Sequence, residues 1–78
     1  PDVTLSYYLP SDTQMELAVY SMAGKQIASL TNRFHIKGNH QAIWNGKDNL
    51  GHEISSGIYL VRLETSNSVI TNKVTLLK

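Results

Sequence analysis

Residues 15–30, MELAVYSMAGKQIASL, place two apolar stretches on either side of a short turn. Every second residue from Met15 to Val19 is apolar, which is the period of a half-buried β-strand. The central SMAGK indicates a hairpin connection, because Gly24 can adopt the positive φ of a tight turn. Residues 26–30 return as the partner strand. This segment therefore predicts an antiparallel β-hairpin.

The same two-residue period extends in both directions from this hairpin. Further strands are predicted over residues 3–9, 38–44, 57–65 and 69–77, with residues 10–12 as a turn, residues 31–33 as a polar connection and residues 45–51 as a loop rich in Asn, Asp and Gly. We expect turn glycines at Gly24, Gly46, Gly51 and Gly57. About seven short strands without a helical crossover predict an all-β, immunoglobulin-like antiparallel β-sandwich, with a small barrel as the alternative.

The composition is that of a small globular domain. The chain has 78 residues, 41% apolar and 17% charged, which predicts one domain over residues 1–78 with a packed core. Its net charge of +1 comes from scattered basic residues, which argues against nucleic-acid binding and a polybasic membrane patch. No apolar run approaches the ~20 residues of a membrane-spanning helix. Cysteine is absent, so the core alone must stabilise the fold.

Strand parity divides the aromatic residues into two groups. The first group shares the apolar parity of its strands with aliphatic residues, and together they are expected to form the structural core: Tyr7, Leu17, Val19, Trp44 and Tyr59. Tyr8 and Tyr20 fall on the opposite parity. As neighbours on an exposed face, these two rings would make a small binding patch.

Candidate metal and catalytic residues lack the spacing that such sites need. Residues 45–51 place glycine at the seventh position and Ser56 at the twelfth, where an EF-hand has glycine at the sixth and Glu at the twelfth. No two of His35, His40 and His52 have the i, i+2 spacing that aims two imidazoles at one point. A Gly-x-Ser-x-Gly elbow is also absent. We therefore expect no metal, no cofactor and no catalytic residue.

Three segments carry a resemblance to a known family: residues 17–25 (LAVYSMAGK), 38–48 (GNHQAIWNGKD) and 56–63 (SGIYLVRL). In this order they resemble the immunoglobulin-like C-terminal domains of the flagellar hook-capping type and the type IX secretion sorting domains of exported Bacteroidetes proteins. The resemblance implies a non-catalytic C-terminal module of a secreted bacterial protein. Such a module is exported through the periplasm to the cell surface or the medium, as a sorting signal or surface-attachment domain.

The partners that the resemblance implies are the secretion or surface-attachment machinery and an upstream domain of the same chain, which would hold any enzyme activity. The terminal strands are the expected recognition element, with Lys73 and Lys78 as candidate contacts. Two alternatives stay open. One is an immunoglobulin-like structural domain of a hook-capping or scaffold protein, and the other is a carbohydrate-binding or adhesive module that uses Tyr8 and Tyr20.

Overall fold

The computed structural model describes residues 2–78, which form six β-strands and no helix. The strands are β1 (Val3–Leu9), β2 (Thr13–Tyr20), β3 (Gln26–His35), β4 (Gly38–Trp44), β5 (Gly57–Thr65) and β6 (Val69–Leu76). They form two antiparallel sheets, one of order β1-β4 and one of order β3-β2-β5-β6. The sheets pack face to face around a shared core. This arrangement confirms the prediction of an all-β immunoglobulin-like sandwich.

Two details of the predicted strand pattern are corrected. The count of about seven strands becomes six within residues 2–78, and the β4–β5 connection, predicted as a loop, adds only an isolated bridge between Lys47 and Glu53. The interpretation of residues 31–33 as a polar connection is wrong, since β3 continues through them. They pair with β2 from Met15 to Leu17. Cross-strand pairing thus outweighs their polar character.

The β2–β3 turn is closed by backbone hydrogen bonds. Ser21 N donates to Lys25 O at 2.8 Å, and Gly24 N donates to Ser21 O at 2.9 Å. The φ of Gly24 is 91°, in the left-handed region that a side chain disfavours. The hairpin predicted from the SMAGK segment is therefore present, with the strands it joins in antiparallel register.

Positive φ values do not fall on all of the expected turn glycines. They occur at Gly24, Gly38, Gly46 and Gly51. Gly57 instead begins β5 without a positive φ, and a Cβ added there would meet nothing within 4 Å, so its assignment as a turn glycine is corrected. Gly38, which was not among the expected turn glycines, has a φ of 125° where the chain enters β4.

Trp44 lies in the core at the end of β4, and none of its surface is exposed. Its indole Nε1 donates to Lys47 O at 3.0 Å, so the buried N–H is satisfied. The Tyr59 ring meets the indole edge-on, with 5.5 Å between ring centroids. Val19 and Leu76, from β2 and β6, complete this buried cluster. The last strand therefore contributes directly to the core.

A second buried cluster fills the other end of the sandwich: Leu9, Met15, Leu17 and Leu63. Four strands spaced about 4.8 Å apart are wider than two, so the two-stranded sheet cannot cover the whole inner face of the larger one. The uncovered part lies along the first half of β6, since Leu76 near its other end is fully buried. Ile70, which pairs with the inward-facing Leu63, is consequently 52% exposed. An open groove remains between β1 and β6.

Candidate functional site

The terminal hairpin, defined as β5, β6 and their turn, is the element that the sequence analysis selected for recognition. The two strands pair over the full length of β6. In the turn, Thr65 N donates to Ser68 O at 2.8 Å, and Thr65 Oγ1 accepts from Ser68 N at 3.2 Å. Within residues 2–78, β6 pairs with no strand other than β5. Its outer edge therefore presents unpaired backbone N–H and C=O groups.

A groove of about 240 Å³ lies beside the terminal hairpin, between β6 and β1. Its apolar lining comes from four strands and includes Leu5, Leu17, Val61, Leu63, Ile70 and Val74. Asn72 faces the groove, and Lys73 borders it from the outer face of β6. The strand β1 pairs only with β4 among the described strands, so its edge at the groove is also free. Apolar pockets beside a free strand edge can bind an extended peptide.

The two lysines expected in recognition have different surroundings. Lys73 is exposed on β6, and it forms no ion pair with another of the residues from 2 to 78. Lys78 is held by a salt bridge from its ammonium to Glu53 and by a hydrogen bond from its backbone N to Ser56 Oγ at 3.0 Å. The bond from Lys78 lowers the pKa of the Glu53 carboxyl. Lys78 therefore fastens the segment after β6 to the β4–β5 connection, while Lys73 stays available.

Tyr8 and Tyr20 do not form a shared patch. Tyr8 is 61% exposed on the outer face of the two-stranded sheet, where Asn39 lies opposite it on β4. Tyr20 lies on the outer face of the four-stranded sheet, where the Arg62 guanidinium is 4.4 Å from its ring centre and donates to its hydroxyl at 2.9 Å. The two rings therefore face opposite sides of the sandwich. Alternation along a strand gives the face of a residue, but it does not say which sheet the strand joins.

The residues expected in the core lie between the sheets. Leu17 and Val19 are buried with Trp44, whereas Tyr7 and Tyr59 are half-buried against the same clusters. The Tyr59 hydroxyl donates to Ser55 O at 2.6 Å. Burial raises the pKa of the Tyr7 phenol. These side chains pack beneath the groove in the core, and the exposed surface of the candidate site is formed by β6 and the groove.

The β4–β5 loop, considered as a calcium site, uses its side-chain oxygens for hydrogen bonds to backbone. Asp48 Oδ1 accepts from Leu50 N and His52 N, both at 2.9 Å, and the bond from His52 contributes most to lowering the pKa of the Asp48 carboxyl. Asn49 Oδ1 accepts from Ser29 N of β3 at 2.9 Å. The described residues contain no group of three His, Cys, Asp or Glu side chains that could hold a metal ion. The loop is a network of Asx-type turns docked on β3.

Chelator treatment is expected to leave the Tm of the module unchanged, because the Asp48 and Asn49 oxygens are already engaged with backbone N–H groups. Thermal unfolding with and without EDTA checks this expectation. A Tm that falls by several degrees in EDTA and recovers on addition of Ca²⁺ would identify the loop as a calcium site after all.

Two of the three histidines meet across the β3–β4 turn, although they do not have the i, i+2 spacing of neighbours on one strand face. His35 ends β3 and His40 lies in β4, and their ring centroids are 3.8 Å apart. The β3–β4 turn carries the chain from one sheet to the other, so residues of opposite parity can meet across it. His52 lies in the β4–β5 loop, with Nδ1 3.6 Å from an Asp48 carboxylate oxygen.

The acidic residues of the loop are unsuited to general acid catalysis. The pKa values of the Asp48 and Glu53 carboxyls lie below their ordinary values, whereas a carboxyl that donates a proton near neutral pH needs a raised pKa.

In the part of the chain that the structure describes, no helix is long and apolar enough to cross a membrane.

Comparison with known families identifies one match. The family model described as the secretion system C-terminal sorting domain matches residues 2–77, which include every strand of both sheets. No curated protein and no solved structure matches the chain.

Proposed function

The chain belongs to the secretion system C-terminal sorting domain family, and on this basis we propose that it is the non-catalytic sorting module of a larger bacterial protein. Domains of this family mark proteins that are exported and then attached to the cell surface or secreted. The module takes its parent protein from the periplasm to the outside of the cell. Any enzyme activity belongs to other domains of the parent.

The match over residues 2–77 carries this proposal, because it covers both sheets and not one short motif. A sorting role requires a surface that the secretion machinery can bind. The terminal hairpin with the groove beside β6 is our candidate for that surface. It combines an unpaired strand edge, an apolar recess of about 240 Å³ and the exposed Lys73, whose pairing with Leu60 places it on the outer face of β6 beside that edge.

Strand addition is the binding mode that this surface favours. An extended segment of the machinery pairs with a free strand edge through backbone hydrogen bonds, and its alternate side chains enter the groove over Ile70 and Val74. The remaining side chains of the segment lie on the outer face, where Lys73 attracts an acidic group among them. Such a charge contributes to the rate of encounter and to the choice of partner more than to the total affinity.

Replacing Lys73 with glutamate is expected to reduce delivery of the parent protein to the cell exterior by about two- to fivefold, which corresponds to about 0.5–1 kcal/mol for one exposed ion pair. The Tm should not change, because Lys73 makes no ion pair within the described residues. Fractionation and quantitative blotting of the parent protein measure delivery.

Lys25→Glu is the matched control, since Lys25 is an exposed lysine in the β2–β3 turn, away from the terminal hairpin. It makes the same change in net charge as Lys73→Glu and should leave delivery normal. Equal delivery of both variants and the unchanged parent would remove Lys73 from the proposed surface. Equal losses in both variants would mean that overall charge, and not this position, is recognised.

A further inference from the structure

The β3–β4 corner is the short turn through which the chain passes from the four-stranded to the two-stranded sheet. His35 is the last residue of β3, and Gly38 is the first residue of β4. Only Ile36 and Lys37 lie between them. Side chains that pack together at this corner therefore connect the two sheets where the covalent link between them is shortest.

Three rings pack together at this corner. The His35 and His40 rings have centroids 3.8 Å apart and planes inclined at 55°. Tyr7 of β1 adds its ring at 5.5 Å from His40 and 6.3 Å from His35. His40 Nε2 lies 2.7 Å from Ile36 O, so this nitrogen carries the proton and donates. The ring contacts join β3 of one sheet to β1 and β4 of the other.

The separation of the two imidazoles is that of packed rings and not of ligands to one metal ion. With metal–nitrogen bonds of about 2 Å, two imidazoles on a tetrahedral ion would hold their ring centres about 5 Å apart. The observed 3.8 Å is shorter. His40 Nε2 is also engaged with Ile36 O. The pair is therefore a packing contact between the two rings.

The charges near the pair do not favour a second positive charge there. Arg33 on β3 raises the local positive potential, and Lys37 occupies the turn itself. β1 contributes the neutral phenol of Tyr7, and β2 contributes the uncharged Thr13 opposite His35. The carboxylate of Asp12 lies at the same corner, where it accepts a hydrogen bond from Lys37 N at 2.8 Å.

Neither imidazole of the pair has a carboxylate of its own. Among the residues from 2 to 78, the histidine with a carboxylate oxygen within 4.0 Å of a ring nitrogen is His52. Protonation of both His35 and His40 would therefore place two like charges in ring contact, with no carboxylate oxygen within 4.0 Å of a nitrogen of either ring among the described residues. Like charges at this distance disfavour the charged forms.

We propose that the His35–His40 pair is an acid-sensitive contact between the two sheets, which holds the corner closed while the rings are neutral and loosens it when both are protonated. The contact is a property of the folded module and does not depend on the sorting function. A loosened corner frees β1 and β4 to move from the inner face of the larger sheet.

The direction in which pH changes the stability depends on whether the folded or the unfolded chain binds protons more readily. Desolvation, with smaller contributions from His40 and Arg33, lowers the pKa of His35 below its ordinary value of 6.5. The unfolded chain therefore binds a proton at this site more readily than the folded chain does. The stability due to the neutral pair is fully present above about pH 6.5 and is lost as the pH falls through the lower pKa of the folded state.

Thermal unfolding of the module at about pH 7.5 and about pH 5.5 tests this proposal. In this range most Asp and Glu carboxyls stay ionised, so a change in Tm reports mainly on the histidines. The Tm is expected to fall on acidification. The variants His35→Gln and His40→Gln should each lose at least half of that fall. His52→Gln is the matched control and should keep all of it, since His52 lies in the loop beside Asp48.

NMR titration of the unmodified module keeps the test decisive if a glutamine variant does not fold. The proposal expects His35 and His40 to titrate as a coupled pair, with the first proton binding more readily than the second. A Tm that is equal at both pH values would overturn the proposal. So would independent titration of the two histidines, each near pH 6.5.

Discussion

Replacing Trp44 with alanine is expected to destabilise the module by about 3–5 kcal/mol, the cost of removing a large buried aromatic side chain. No part of Trp44 is exposed, and its ring packs against Val19, Tyr59 and Leu76. A domain of this size lies near the lower end of the usual stability range of about 5–15 kcal/mol. The variant should therefore be partly or largely unfolded at 37 °C.

Urea denaturation followed by circular dichroism measures this loss. Leu50→Ala is the control, because Leu50 is 80% exposed in the β4–β5 loop and its removal should change the stability little. If Trp44→Ala unfolded at the same urea concentration as the unmodified module, the core arrangement around the indole would be wrong.

Deleting residues 69–78 from the parent protein is expected to abolish delivery outside the cell while leaving upstream activity intact inside it. The deletion removes β6, and with it Leu76 from the buried cluster around Trp44. It also uncovers the edge of β5, so the small sandwich should unfold. Upstream domains have their own cores and should survive.

Accumulation of the truncated parent in the periplasm, with normal activity there, is the expected readout. A parent with Leu50→Ala should be delivered normally and controls for the handling of a mutated module. Normal delivery of the truncated parent to the surface or medium would refute a sorting role for the terminal hairpin.

The strands could be predicted from the sequence wherever neighbouring residues decide the local structure. The alternation over residues 3–9 and the turn at Gly24 both depend on neighbouring residues, and β1 (Val3–Leu9) and the β2–β3 hairpin follow them. The extent of β3 was harder to predict, because residues 31–33 are polar and only their pairing with β2 makes them part of a strand. Local pattern alone cannot reveal such pairing.

The arrangement of the candidate site depends on contacts between residues that are distant in sequence. The pairing of Lys78 with Glu53 and the separation of Tyr8 from Tyr20 both follow from how strands are shared between the two sheets. The groove arises because the larger sheet is wider than the smaller one, which no single segment encodes. Neither the strand periodicity nor the charge of the chain indicates a sorting role. The prediction of that role rested on the three segments that resemble the sorting domain family.

Transfer of sorting to an unrelated cargo is the most direct test of the central claim. The module, residues 1–78, is fused to the C-terminus of a folded reporter that normally stays in the periplasm, in a bacterium that has the type IX secretion system. Our account predicts that the fusion reaches the surface or the medium, and that the same fusion with Trp44→Ala remains in the periplasm. Retention of both fusions in the periplasm, with the unmodified module folded, would contradict the account.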